Sequence, residues 1–483
     1  MRVLFVASEC FPLIKTGGLA DVIGALPRTL AASGDDARVL LPAFPAVKKA
    51  ALKQKKIAEI ADLAGAKAAL LSANTSTGVK LYLLDAPHLY DVPGNPYQGS
   101  DGKDRPDNHR RFAALARVSA LLAHGDLDNK WQADILHAHD WQAGLASAYL
   151  SLLPAPRPKT VFTIHNLAFQ GLFPKATFSS LGLPPEMFSQ NGLEYWDQVA
   201  FLKAGVVYSD HTTTVSPTYA REIQTDDGGM GLGGLLKSRS AHISGITNGI
   251  DTDVWNPAND PSLTTTFSLK SPAGKARNKA ALQQKLGLDT DKNAPLFCVI
   301  SRLTEQKGLD LLAGAIPHIV GNGGQLAVLG TGDKDLEAAF QNAAKAHKGK
   351  VATVLGYDEP LAHLLQAGAD AIFIPSRFEP CGLTQLCALR YGTIPIVARV
   401  GGLADTIVDA NDAALQAGAG NGIQFSPVTF DNLIAATDRF LALFDDKRTL
   451  NAVRKRGMKQ DVSWQQPAAK YRQIYLSLLS DAT

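Results

Sequence analysis

One pentapeptide occurs at both ends of this chain, as Gly17-Gly18-Leu19-Ala20-Asp21 and as Gly401-Gly402-Leu403-Ala404-Asp405. Each copy follows a short apolar run, residues 3–7 or 394–398, and leads into a stretch with helical spacing. A glycine pair lets the backbone turn tightly and approach a ligand without a Cβ in the way. The helix that follows offers free N–H groups and the positive end of its dipole to an anion. Plain strand-to-helix turn chemistry gives the same pattern, and neither copy fits G-x-G-x-x-G or G-x-x-x-x-G-K-[ST]. The flanks separate the two: Lys15-Thr16 precede the first pair, adding a cation, whereas Val400 precedes the second.

Three further segments place reactive side chains just after apolar runs. Ser301-Arg302-Leu303-Thr304-Glu305-Gln306-Lys307-Gly308 carries two cations that can both reach a diphosphate, Arg302 through its planar fork and Lys307 as a point charge. Arg377-Phe378-Glu379-Pro380-Cys381-Gly382-Leu383-Thr384 sets a carboxylate ahead of a glycine that opens a helix, a combination suited to sugar hydroxyls and phosphate. A solvated loop or an acidic residue ahead of a helix are the plainer readings of these two segments. His165-Asn166 and His137-Ala138-His139-Asp140-Trp141 follow or end other runs. His137 and His139 point the same way on a strand, but no H-E-x-x-H pair accompanies them, so no metal is expected. His165 reads as a hydrogen-bonding or general-base residue facing a cleft, or as a histidine satisfied in the core.

The elements that must hold these residues are those of parallel α/β sheets. Short apolar runs bounded by Gly, Pro, Asn or Asp alternate with helical patterns. Strands are expected over residues 3–7, 39–41, 80–84, 134–138, 160–164 and 211–215 in the first half. In the second half they are expected over 296–300, 325–329, 352–355, 371–374 and 394–398. At 483 residues the chain exceeds the size of a single core, so two domains are expected, with the boundary near residues 245–256. Ligands of open parallel sheets sit beyond the carboxyl ends of the strands, which is where the residues above fall.

Composition excludes several classes. A net charge of +3, from 48 basic and 45 acidic residues, is too balanced for general binding to nucleic acid or an anionic membrane. Cys10, Cys298, Cys381 and Cys387 form no C-x-x-C pair, which points to free thiols in a reducing compartment. The N-terminus is too short in apolar residues and too acidic for a signal peptide, and no window suits a membrane span. A cytoplasmic protein is expected.

Together, Lys15-Thr16-Gly17-Gly18-Leu19-Ala20-Asp21-Val22, His165-Asn166-Leu167-Ala168, Thr247-Asn248-Gly249-Ile250-Asp251, Ser301-Arg302-Leu303 with Lys307-Gly308, and Glu379-Pro380-Cys381-Gly382-Leu383-Thr384-Gln385 resemble bacterial glycogen synthase, a family that shares its scaffold with plant starch synthases. The motifs run in the family's order over essentially the whole chain. The resemblance implies an α/β glycosyltransferase-B fold, two Rossmann-like domains facing across a deep cleft. Residues 1–245 would form the acceptor-side domain with the Lys15 loop, and 246–456 the ADP-glucose-binding domain. Residues 457–483 would form a helix crossing back to the first. The implied reaction transfers glucose from ADP-glucose to the non-reducing end of an α-1,4-glucan, glycogen or a maltooligosaccharide, with retention of configuration and no cofactor.

The resemblance also assigns roles. Lys15 contacts the sugar nucleotide from the first domain, and Gly17 and Gly18 let the backbone approach the donor. Arg302 and Lys307 grip the diphosphate. Glu379 lies near the glucose hydroxyls, and Gly382, Leu383 and Thr384 present backbone N–H groups. His165 stands beside the transferred sugar and Tyr357 against the adenine. Asp21 and Asn248 occupy donor positions, and Tyr97 and Asp140 acceptor-side positions. Related retaining transferases carry a second Glu eight residues after the first, where this chain has Cys387, so ribose recognition by such a Glu is not expected. Asp251-Thr252-Asp253 has the spacing of a metal motif of the other major transferase fold but is read as a loop feature without metal. Two rival functions use the same residues: a different sugar-nucleotide transferase, and a nonreactive glucan-binding protein.

Overall fold

The computed structural model describes residues 1–480 and divides into two units, Met1–Asn248 with the segment from Trp464 onward, and Gly249–Ser463. The first division falls three residues beyond the expected 245. The expected closing segment, 457–483, is itself divided. Its first residues finish the helix Lys447–Lys459 of the second unit, and the closing helix begins at Gln465 and runs to Ser480. Residues 481–483 lie outside the described residues.

The first unit is built on a nine-stranded sheet. In spatial order its strands are Ile243–Gly245, His211–Thr214, Lys159–Ile164, Ile135–His139, Arg2–Val6, Asp36–Pro42, Lys80–Asp85, Ala66–Asn74 and Leu52–Leu63. The first seven are parallel and the last two antiparallel. Chain order reverses between Arg2–Val6 and Ile135–His139, which makes the carboxyl ends of those two strands the switch point where such sheets bind ligands. The antiparallel pair is absent from the sequence-based expectation. Its outer strand, Leu52–Leu63, is rich in exposed lysine and lacks the buried run that marks a central strand, a composition that also protects the edge from pairing with other chains.

Helix Gly18–Ala32 buries Leu19, Ile23, Leu26 and Leu30, a four-three-four spacing that forms one apolar stripe. The closing helix belongs to this core as well: Tyr471 and Tyr475 are fully buried, and Arg472 Nε reaches the buried Asp35 at 3.1 Å. A small three-stranded sheet, Leu172–Pro174, Gln198–Ala200 and Glu194–Tyr195, completes the unit.

The second unit carries a fully parallel six-stranded sheet in the spatial order Val351–Leu355, Gln325–Gly330, Leu296–Ile300, Ala371–Ile374, Ile394–Ala398, Ile423–Phe425. Numbered within the unit this is 3-2-1-4-5-6, the Rossmann order, and the switch point lies between Leu296–Ile300 and Ala371–Ile374. Both faces are covered, so the strands read as continuous apolar runs. Phe297 and Val299 pack with Leu312, Leu433 and Phe440 on one face, while Leu296 and Cys298 pack with Leu282, Leu361 and Leu386 on the other. All four cysteines are buried and unbridged. No described helix is long and apolar enough to cross a membrane.

Candidate active site

The first Gly-Gly loop does hold an anion, and the anion is the protein's own Glu9. This side chain, 2% exposed, follows the strand Arg2–Val6 at the switch point. Its Oε2 accepts the backbone N–H of Thr16 and, at 3.2 Å, that of Gly17. Its Oε1 accepts Thr16 Oγ1–H at 2.5 Å and the phenol O–H of Tyr97. Tyr97, donating to Glu9, accepts in turn from Ser8 Oγ at 2.8 Å. Burial first, and the Glu9 charge second, keep this phenol protonated far above its ordinary range. Nothing in the sequence marks Glu9 beyond its place after a strand end.

The loop fixed by Glu9 presents the expected donor residues. Lys15 Nζ bridges to Asp21 Oδ1 at 2.8 Å, both side chains partly open to solvent, so the cation is aimed by a carboxylate in the first turn of helix Gly18–Ala32. Nothing lies within 4 Å of the position a Cβ would take on Gly17, which leaves its backbone approachable.

Asp140 and His165 follow the neighbouring strands and are joined. The backbone N–H of His165 donates to Asp140 Oδ1 at 2.7 Å. Asp140 itself sits at φ 55°, ψ −178°, a conformation that costs a non-glycine residue about 1–3 kcal/mol and persists only where its surroundings enforce it. Burial pushes its carboxyl up to about 7, against the lowering effect of the His165 and Asn166 N–H groups, and the Glu9 charge adds to the rise. A carboxyl raised in the fold binds its proton more tightly than in the unfolded chain, where it titrates near 4. Its contribution to stability is therefore present at low pH and is lost as pH rises through the window from about 4 to about 7. Asp140→Asn keeps the Oδ1 acceptor without the charge, so the variant is expected to match wild type in unfolding midpoint near pH 4 and to exceed it increasingly up to pH 8. Midpoints that stay parallel across that range would contradict the assignment.

The His165 ring meets a second imidazole, with His139 Nδ1 and His165 Nε2 2.9 Å apart. Burial lowers His165 to about 3, and His137 and His139 are also held well below the ordinary histidine range, by burial first and then by His165 for His137 and by His137 and His165 for His139. His137 and His139 do not converge on a shared point. His137 is paired with Tyr475 Oη at 2.7 Å and Thr163 Oγ1 at 2.6 Å. Asn248, at the end of the unit, is buried, and its side-chain oxygen has no hydrogen-bond partner among the described residues.

In the second unit the two loops at the switch point are stitched together. Gly308 adopts φ +65°, and a Cβ there would lie 2.0 Å from the Pro375 carbonyl oxygen, so only glycine lets the loops approach this closely. Arg377 N–H donates to Gln306 O at 2.9 Å. Across this seam Lys307 Nζ meets Glu379 Oε2 at 2.5 Å, and Ser376 Oγ donates to the same oxygen at 2.9 Å. Arg302 is exposed on the first loop, its side chain held among the described residues by a 3.4 Å contact to Gln306 Oε1. A cation fixed by a buried carboxylate therefore stands on the same loop as an exposed one.

The second Gly-Gly pair has a different job from the anion loop its sequence suggested. It opens only a short helix, Gly401–Thr406, and the Gly402 N–H donates to the carbonyls of Glu379 and Pro380, both at 3.1 Å. A Cβ on Gly402 would lie 2.2 Å from the Cys381 carbonyl oxygen. The pair thus buttresses the Glu379 loop from behind. Gly382, at φ +69°, and Leu383 lead into helix Thr384–Tyr391. Tyr357 follows the edge strand Val351–Leu355, two strands from the strand that leads into the Lys307 loop. Its ring is 74% exposed, and its hydroxyl donates to Glu359 at 2.8 Å. Asp251, of the Asp-Thr-Asp sequence, accepts the Asp253 N–H at 3.0 Å within a turn.

Each unit therefore gathers a core of candidate residues beside its own switch point, with Tyr357 two strands away and Asn248 at the end of its unit. Residues 2–238 match the family model described as starch synthase catalytic domain, and residues 279–459 the model described as glycosyl transferases group 1. A glycogen synthase from Rhodopseudomonas palustris is 54% identical over 481 residues, covering 100% of this chain and 99% of the relative. The chain belongs to the glycogen and starch synthase family. Other glycogen synthases in this family, from Roseobacter denitrificans and Methylocella silvestris, are each 53% identical over at least 99% of both chains. Among solved structures, the catalytic domain of starch synthase IV from Arabidopsis thaliana, bound to ADP and acarbose, is 32% identical with a TM-score of 0.90 over 99% of each chain. A sucrose-phosphate synthase from Thermosynechococcus elongatus, 17% identical with a TM-score of 0.62, shares the fold alone. The fold of this synthase is glycosyltransferase-B-like, and the protein is a glycosyltransferase.

Proposed function

We propose that the protein elongates an α-1,4-glucan by transferring glucose from ADP-glucose to the non-reducing end, with retention of configuration. The observation that carries this reading is the Lys307–Glu379 pair at the switch point of a 3-2-1-4-5-6 sheet, with Arg302 on the same loop. A relative at 32% identity binds ADP and acarbose, and relatives above 50% identity are glycogen synthases, which favours ADP and a glucan over other nucleotides and acceptors.

Breaking the bond from the anomeric carbon to phosphate leaves negative charge on the departing ADP and positive charge on the sugar ring. Arg302 and Lys307 meet the first, and act on the barrier to the extent that they bind the developing charge better than the ground state. The acceptor hydroxyl attacks from the face that the phosphate leaves, and its proton passes to that phosphate. Glu379 holds sugar hydroxyls and His165 orients the ring. The side-chain cations Arg302 and Lys307 supply the charge that a metal would otherwise bring, so activity is expected to survive a strong chelator.

The test is ADP release from ADP-glucose with and without glycogen, with UDP-glucose in parallel. Glycogen-dependent release from ADP-glucose supports the proposal. Reaction only with a small alcohol or only with UDP-glucose would reject the substrate assignment, and a trapped glucosyl-enzyme would reject the front-face route.

A further inference from the structure

The contact between His139 and His165 fixes where the His165 proton resides. Both rings are neutral, His139 fully buried and His165 half-buried, so only one of the two nitrogens facing each other across 2.9 Å carries a hydrogen. If His165 donated from Nε2, His139 would carry its own proton on Nε2, and that atom is buried without any hydrogen-bond partner among the described residues. If His139 donates from Nδ1, its Nε2 is a bare lone pair. A buried N–H without an acceptor is the rarer and costlier of the two defects. His139 Nδ1 is thus the donor, His165 Nε2 the acceptor, and the His165 proton lies on Nδ1.

The packing makes His139 suited to this task. Its ring stacks on Phe5 with centroids 5.7 Å apart and lies against His137 at 4.1 Å. His137 is itself locked at both nitrogens, and its Thr163 partner continues to Thr213 Oγ1 at 2.6 Å. His139 therefore has little freedom to turn its Nδ1 away. His165 is held at its backbone by Asp140 and at its ring by His139, which leaves Nδ1 as the nitrogen for a ligand.

We propose that His139 is a positioning residue that holds His165 in the Nδ1–H form, so that His165 meets the sugar as a hydrogen-bond donor through Nδ1 and takes no proton during transfer. The role toward the sugar rests on the function proposed above, whereas the tautomer can be read without substrate. Nitrogen-15 NMR of histidine-labelled protein, with His165 assigned by its loss in His165→Gln, is expected to show a protonated Nδ1 and an unprotonated Nε2. His139→Asn places an amide N–H near the lost Nδ1–H and is expected to preserve that pattern and most of kcat. His139→Phe removes the donor and is expected to mix the two forms and lower kcat about 10- to 100-fold with KM for glycogen changed less than threefold.

A wild-type proton on Nε2, or a pattern untouched in His139→Phe, would overturn the inference. So would equal loss of kcat in the Asn and Phe variants when both keep the wild-type unfolding midpoint, because that marks a role in packing alone. Failure of wild type to use ADP-glucose and glycogen would count against the function proposed above and would leave the tautomer measurement standing.

Discussion

Lys307→Ala is expected to lower kcat about 100-fold, an increase of about 3 kcal/mol in the barrier, the usual loss when one preorganised donor to a developing anion is removed. The pair geometry explains why the effect falls on turnover. Lys307 is held at 2.5 Å by Glu379, whose oxygen also accepts Ser376 Oγ, so the ammonium is in place before the diphosphate departs and needs little reorganisation. Arg302 lacks such an anchor, its side chain reaching Gln306 only at 3.4 Å. Arg302→Ala is expected to lower kcat similarly and to raise KM for the donor as well, since this side chain must be ordered by the ligand itself. The substitution at 307 also leaves Glu379 with less compensation, and a lower unfolding midpoint accompanies it. ADP-release kinetics with thermal unfolding on the same samples check both effects. Near-wild-type kcat in a folded Lys307→Ala protein would remove this lysine from the mechanism.

Glu9→Ala is expected to be the most damaging single change in the first unit. Four donors converge on this carboxylate: the N–H groups of Thr16 and Gly17, the Thr16 hydroxyl and the Tyr97 phenol. An orphaned buried donor costs about 1–3 kcal/mol, and water entering the partly open loop offsets part of the total, so a net loss of about 3 kcal/mol in stability is expected. Activity is expected to fall further than stability alone implies. The loop carries Lys15, and Tyr97 is held by the same oxygen. A displacement of about 1 Å at positioned groups is enough to cost about 100-fold in rate. Glu9→Gln tests the charge separately, because its amide turns an N–H toward donors and cannot accept at both ends. It should resemble the alanine variant more than wild type. Full activity in Glu9→Gln would show that the loop does not depend on this carboxylate.

Much of this arrangement was legible in the chain. The strands at 3–7, 134–138, 296–300 and 371–374 flank the two switch points, and their apolar runs located them to within a residue, because strands covered on both faces are almost wholly apolar, the two histidines of Ile135–His139 being the exception. Arg302, Lys307, Glu379 and Asp140, placed after those strands, and His165, placed after Lys159–Ile164, all stand beyond strand ends. Spacing could not tell the two Gly-Gly copies apart in use, since the carboxylate that fills the first, Glu9, is only eight residues from Gly17 but carries no motif that marks it, and the backbone buttress at the second involves partners far away in sequence. Gly402 meets Glu379 and Cys381 across some twenty residues, and Glu9 meets Tyr97 across nearly ninety. The edge pair Leu52–Leu63 and Ala66–Asn74 went unread for the opposite reason: exposed lysines replace the buried alternation on which strand recognition depends. His139 was visible only as one of two same-facing histidines, and its partner became evident only when the strand Lys159–Ile164 was seen lying beside it.

The closing helix gives the order of synthesis a role in this architecture. Tyr475 caps His137 from the far end of the chain, and Tyr471 and Tyr475 fill the core of a unit whose other residues are made first. At about 5–20 residues per second, residues 249–463 take roughly 10–40 s to add, and during that interval the first unit waits with a slot beside His137 that its own final helix must fill. The second unit is contiguous and can close its core before the first does. A ribosome-bound chain that has not yet released Tyr475 therefore holds the strand bearing His137 and His139 without this packing partner, and synthesis through Tyr475 precedes full packing of the histidine pair.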